Sequence, residues 1–260
     1  MNQFDLLIKN GTVYTAVETF DADIAVKDEK INAIGQNLGN AERVIDAKGM
    51  LVLPGGIDAH CHIEQESSTR IMTADDFYSG SVSAAFGGNT TFLPFAAQHK
   101  GQSLREVVET ARDRARVKSV IDYGLHLIVS DPTEKVLEEE LPSLIKEGYT
   151  SFKVYMTYEM LKINDREMLD ILALARKNGA MTMVHAENNE VITWITERLL
   201  TRGYDAPKFH TVSHTQIAES EASRRAIDLA RLVDAPLLIV HVSEPEAARA
   251  ILEARNKGLP

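Results

Sequence analysis

Residues 54–63 read Pro54-Gly55-Gly56-Ile57-Asp58-Ala59-His60-Cys61-His62-Ile63, a turn followed by a short strand that closes on two histidines flanking a cysteine. Side chains at i and i+2 of a strand share a face. His60 and His62 therefore point the same way and reach one ion, while Cys61 points into the opposite packing layer. Neutral imidazole is the commonest nitrogen donor for zinc. Two further apolar runs, AMTMVHA (180–186) and PLLIVHVS (236–243), also end near a histidine, His185 and His241. Desolvating an imidazole is costly, so the end of a buried strand is an odd place for a bystander. In a closed barrel the C-terminal strand ends converge on one face. In an open sheet the first and last of these strands would lie too far apart to share an ion. The histidines select the barrel.

Working outward, the other candidate strands are TTFLPFA (90–96), DYGLHLIVS (122–130) and SFKVYMT (151–157), separated by amphipathic stretches of helical length. Ser103-x-x-Glu106 and Ser243-x-x-Glu246 are predicted capping boxes, and Gly148, Gly179 and Gly203 sit where helices should stop. Strand–helix alternation at this spacing implies a parallel sheet. The expected class is α/β, a TIM-type (β/α)8 barrel with about six of its eight units present. Upstream, FDLLIKNGTVYT, ADIAVKDEKINAIG and RVIDAKGMLVLPG are β-rich, with Asp28-Glu29 as a hairpin tip. Residues 1–54 are read as a small antiparallel sheet, part of a β-sandwich, and 55–260 as the barrel. The last helix runs into Gly258-Leu259-Pro260 where another strand is expected, so the barrel is read as lacking its last strands.

Composition narrows the function. The formal charge of −10 opposes binding to polyphosphate, which argues against nucleic acid. No apolar run suits a bilayer span, no secretion signal is visible, and the single cysteine suits a reducing compartment, so a cytoplasmic protein without a membrane partner is expected. No GxxxxGK[ST] and no Gly-rich strand-to-helix turn supports a nucleotide site. Lys153 is the second unusual residue, set in the apolar strand SFKVYM. A buried lysine finds a partner, loses its proton or snorkels. Alternatively, carboxylated by CO2, it becomes an anionic carbamate able to bridge two divalent cations. His126 is expected to be a satisfied core residue. His99, His210 and His214 fall in loops, Glu187 and Asn188 are placed to orient His185, and Glu138-Glu139-Glu140 reads as a solvated helix face.

Taken together, HCH, FKVYMTY, VHAEN and VHVS, in this order and spacing, resemble the cyclic amidohydrolases of the hydantoinase/dihydropyrimidinase family. LLIKNGTV and VIDAKGMLVLPGGIDAHCH are similar to that family's N-terminal sandwich strands and first barrel strand. The resemblance implies two divalent metal ions, Zn2+ above all. His60 and His62 would bind one, His185 and His241 the other, and a CO2-derived carbamate on Lys153 would bridge them. It implies that Tyr158 hydrogen-bonds the substrate carbonyl, and that a metal-bridging hydroxide opens a small cyclic ureide or imide. It also implies a homo-oligomer, commonly a tetramer. The family's last metal ligand, an aspartate after a late barrel strand, would lie beyond Pro260. The loop Ile63-Glu64-Gln65-Glu66-Ser67-Ser68 departs from relatives that act on apolar hydantoins; Glu64 and Gln65 are candidate substrate-loop residues, and the Glu64 carboxylate would favour a polar or cationic substituent if it faces the pocket, the alternative being a solvated loop. The rival reading is a catalytically impaired, shortened relative that serves as an assembly protein.

Overall fold

In the computed structural model, which describes residues 3–67 and 71–259, the chain forms two units, Met1–Gly56 and Ile57–Pro260. Ser68 of the substrate loop and Pro260 lie outside the described residues. The first unit holds β1 (Phe4–Tyr14), β2 (Thr19–Lys27), β3 (Lys30–Gly35), β4 (Ala41–Asp46) and β5 (Leu51–Val52). The strand order is β3-β2-β1-β4, with β5 also on β1. Asp28 and Glu29 turn the β2–β3 hairpin with φ of +50° and +61°, the left-handed pair that matches strand twist in a two-residue turn. The sheet is mixed and not antiparallel throughout, because β4 and β5 run parallel to β1. The link from β1 to its parallel partner β4 runs through β2 and β3, and residues 36–40 carry the chain from β3 to β4, with Leu38 packed against Phe4, Leu7 and Ala25. Among the described residues this unit is one sheet, not two layers.

In the second unit, β6 (Gly56–Cys61), β7 (Asn89–Ala97), β8 (Asp122–Tyr123), β9 (His126–Ile128), β10 (Ser151–Tyr155), β11 (Met181–His185) and β12 (Leu237–Ile239) alternate with helices. These are α1 (Phe77–Phe86), α2 (Leu104–Lys118), α3 (Leu141–Lys146), α4 (Asp165–Asn178), α5 (Asn189–Thr201), α6 (His210–Ser213), α7 (Gln216–Leu232) and α8 (Pro245–Asn256). The sheet order is β12-β11-β10-β9-β7-β6, with β8 beside β7. Every pairing from β7 through β9, β10 and β11 to β12 is parallel. None of the described helices is long and apolar enough to cross a membrane.

Alternation along each strand builds two cores. Phe152 and Val154 of β10 and Val184 of β11 face outward, against Val108 of α2, Ile171 and Leu172 of α4 and Ala222 and Ala226 of α7. Phe95, Ile128, Tyr155, Met183 and Val240 fill the inside. Lys153 lies between Phe152 and Val154 on the inward row, in register with Ile128 and Met183. A flat sheet with strands about 4.8 Å apart would separate its first and sixth strands by about 24 Å. The rings of His60, on β6, and His241, just after β12, have centroids 5.8 Å apart. The sheet is therefore curled into an incomplete (β/α)8 barrel, as the histidines required.

Most of the helix boundaries fall where the cap and stop residues place them. Gly148, Gly179 and Gly203 follow α3, α4 and α5, and Gly179 caps α4 in the left-handed region. Ser103 accepts from the Glu106 N–H as expected, but Glu106 does not return a bond to the Ser103 N–H, and the Ser103 hydroxyl donates to Glu140. At α8 the cap is Glu244, which accepts from the Ala247 N–H; Pro245 at the first helical position sets the boundary one residue later than Ser243 suggested. Ser243 instead bonds Glu219.

Candidate metal centre

His60 and His62 straddle Cys61 at the end of β6. Cys61 packs beside Ile63, Phe77 and Phe92, and burial pushes its thiol up to about 12, which leaves it inert. His60 and His62 turn to the barrel interior, where both rings lie against Phe95, with centroids 4.8 and 4.9 Å away. Gln65 Oε1 is 2.7 Å from His62 Nδ1. An amide oxygen only accepts, so the His62 proton sits on Nδ1 and the Nε2 lone pair is free.

Lys153 is 1% exposed, and its Nζ donates to His60 Nε2 at 2.9 Å. Phe95 and Tyr155 flank it, with ring centroids 4.7 and 5.1 Å from Nζ. Among the described residues no carboxylate is within ion-pair reach of it. Burial alone lowers its pKa to about 8. His60 is pushed down to about 4, first by burial and then by the Lys153 charge. Burial also lowers His62 and His241. At neutral pH these imidazoles are uncharged, the form that ligates a metal.

From the other side, His185 ends β11, and its ring lies 4.5 Å from His241 and 5.4 Å from Tyr155, stacked on the latter. Tyr155, to which the sequence assigned no chemistry, is the wall behind His185. Tyr158 stands 5.0 Å from His185, ring to ring. Its hydroxyl pKa is raised by burial and then by the Glu187 charge, so it stays a proton donor. Backbone strain gathers here. Tyr158 and His241 have φ of +66° and +40°, and Glu64 has +46°. Left-handed backbone at bulky residues is sparse and tends to collect at functional sites.

The predicted residues divide. His60, His62, Lys153, His185, His241 and Tyr158 come together at one end of the barrel. Gln65 serves His62. Glu64 is turned away from any substituent: Lys118 Nζ contacts its two carboxylate oxygens at 2.8 and 2.9 Å, and the Phe77 N–H donates to it at 3.1 Å. Its charge is consumed between the start of α1 and the end of α2, so the expected preference for a cationic substituent loses its basis. His126 is the satisfied core residue expected, bonded to Ser151 Oγ and the Ala59 carbonyl. Asn188 caps α5 and does not touch His185. Glu187 does, and its carboxylate also meets His214. His214 was missed as a participant. It lies 27 residues from Glu187, and no spacing rule connects them.

Among the described residues, no three His, Cys, Asp or Glu side chains already close on one point as a metal cage. The donor set nevertheless fits divalent cations. Among the described residues, the His60 and His62 lone pairs are free or held only by Lys153, and the buried lysine has no anion beside it. Converting that amine to a carbamate would replace an unpaired buried cation with oxygen ligands at the same place.

A family model described as the Amidohydrolase family matches residues 51–252. The D-hydantoinase of Geobacillus stearothermophilus is 45% identical over 256 residues, which cover 97% of this chain and 54% of that protein. The dihydropyrimidinase of Rattus norvegicus is 36% identical over 260 residues, covering 97% and 50%. A solved D-hydantoinase structure superposes with a TM-score of 0.95 at 44% identity, over 98% of this chain and 56% of that one. A dihydropyrimidinase from Brevibacillus agri gives 0.94 at 44% identity, over 97% and 55%. The chain thus spans about half the length of the curated relatives it matches. With the match running from β5 into α8, through every strand that carries a site residue, this chain belongs to the amidohydrolase family.

Proposed function

We propose that this chain carries the metal-binding part of a cyclic amidohydrolase that opens hydantoin or dihydropyrimidine rings. One observation carries the reading: a fully buried lysine without a carboxylate partner among the described residues, ringed by four histidines at one end of a barrel. His60, His62, Lys153, His185 and His241 would hold two divalent cations, zinc by the imidazole-rich donor set. When bound, the ions supply Lewis acidity, activating water near neutral pH and polarising the ring carbonyl.

The chain's own residues prepare that chemistry. Burial makes Lys153 lose its ammonium proton readily, and the neutral amine nitrogen can then bond the carbon of CO2 and release a second proton. Over the two losses the side chain changes from a cation to an anion. Phe95 and Tyr155 exclude water from it. Tyr158, held protonated, offers its O–H to the carbonyl oxygen as negative charge grows there. The names of the relatives support a small cyclic ureide as substrate and the hydrolysis of its amide bond. The assembly-protein reading has less behind it, because a chain freed from catalysis has no reason to keep a costly unpaired lysine among four imidazoles.

The test is metal content per chain after refolding with zinc and bicarbonate, beside Lys153→Ala. The expected result is about two zinc ions, lost in the variant, with dihydrouracil and hydantoin then assayed as substrates. A value near zero in the unaltered chain would sink the reading.

A further inference from the structure

We propose that His214 is a positioning residue for this centre, acting through Glu187 to fix the ring of His185. The inference rests on reading His185 as a metal ligand. Glu187 bridges the two imidazoles: His185 Nε2–H donates to Oε2 at 2.7 Å, and His214 Nδ1–H donates to Oε1 at 2.8 Å. All three side chains are largely shielded from solvent, at 12–16% exposed. An ionised carboxylate only accepts, so both ring protons must face it. His185 is thereby confined to one tautomer, with its lone pair on Nδ1.

The terminal torsion of a glutamate is broad and roughly two-fold, so one hydrogen bond would not hold its plane. Two hydrogen bonds from opposite sides do. The surrounding backbone is built to keep them in line. The Asn188 N–H donates to the Ala218 carbonyl, and the Asn188 side-chain amide reaches Glu221, which ties the segment after β11 to the first turns of α7. His214 lies between α6 and the Thr215 cap of α7, and its ring is backed by His210 at 4.0 Å. A loop that looks like a mere connection between α5 and α7 therefore sets the orientation of a side chain on β11.

The experiment combines nitrogen-15 NMR of the metal-free chain with zinc competition against a chelator. In the unaltered chain the expected His185 signal is that of the Nε2–H tautomer. In His214→Ala it becomes a mixture of tautomers, and zinc affinity falls about 10–100-fold. His214→Asn, which keeps an N–H near the former Nδ1 position, recovers most of both. Should His214→Ala fail to fold, Glu187→Gln gives the same test, since an amide cannot accept from both rings through its two ends. Unchanged tautomer and affinity in His214→Ala would overturn the inference, as would a loss that His214→Asn leaves unrepaired. Failure of the unaltered chain to bind zinc would remove the ligand reading of His185, while the tautomer measurement would still decide the role of His214.

Discussion

Lys153 and Tyr158 show how a single residue can be placed against its own stability. A desolvated ammonium with only an imidazole as partner lowers the stability of the metal-free fold, because burying charge is costly unless it is compensated. Lys153→Met, close in length and apolar, should therefore raise the stability of the metal-free chain by about 1–3 kcal/mol in urea unfolding while abolishing zinc uptake. A destabilised variant would mean that Lys153 is compensated in a way its hydrogen bond to His60 does not reveal. Tyr158 carries a left-handed backbone and a protonated hydroxyl beside His185. Tyr158→Phe keeps the ring contact and removes only the donor, so kcat should fall about 10²–10³-fold in the hydrolase assay with zinc content unchanged. If kinetics do not change, Tyr158 has no part in the reaction. At this scale the sequence was informative wherever an ionisable side chain sat at the end of an apolar strand, because such a residue needs an explanation. It was silent on Glu187 with His214, and it misled on Glu64. Those roles depend on which long-range partner each carboxylate meets, and a single chain read end to end does not contain that.

Glu140 makes the same point for a whole element. Read as part of a solvated run, it lies at the end of the π-helical turn Val136–Glu140, 6% exposed, with its carboxylate over the start of α2. It accepts from Ser103 Oγ and from the Leu104 and Arg105 N–H groups, and Lys135 lies 3.3 Å away. A helix N-terminus leaves N–H groups without intrahelical acceptors and favours negative charge. Here much of the cap comes from 36 residues away and not from the local box. Burial alone would raise the Glu140 pKa, but the hydrogen bonds from Ser103, Arg105, Lys135 and Leu104 outweigh it and hold the group below its ordinary 4.5. A depressed carboxyl stabilises fully above its unfolded value, and that contribution is lost as pH falls through the folded one. Glu140→Gln should cost about 1.5–3 kcal/mol at pH 7. Its stability should also decline less than that of the unaltered chain as pH drops below about 4.5. Parallel acid limbs in urea titrations of the two proteins would refute this assignment. Elements and their order were legible from apolar periodicity and turn residues, because those signals are local. The Glu140 share of the α2 cap, the parallel seating of β4 and the shift of the α8 start to Glu244 were not, because each is settled by a neighbour distant in sequence or by a proline that displaces the boundary.

At the scale of the barrel unit, what was legible was closure. The inference ran from chemistry to topology, since His60 and His241 can share a site only if the sheet curls, and their rings meet across it. The same topology leaves β6 and β12 at the two ends of the described sheet. An end strand presents unpaired N–H and C=O groups that template pairing with another chain. On the β12 side the edge is also apolar. Leu238 is 47% exposed, and a cavity of about 460 Å3 opens beside it, lined by Ala230, Ala235, Leu237, Ile239, Ile251 and Leu259. At the other end Ile57 is exposed. Exposed apolar surface continuous with an open strand edge drives association. The 260-residue chain should therefore sediment at micromolar concentration as a distribution of species larger than a monomer. Leu238→Lys places a charge in the middle of the edge strand, the device by which natural sheets blunt their edges. It should shift the distribution toward monomer while changing unfolding free energy by no more than about 0.5 kcal/mol, as for an exposed position. A single monomeric boundary in the unaltered chain would show that the β12 edge is already protected, and a variant that associates as strongly as the original would move the contact away from β12.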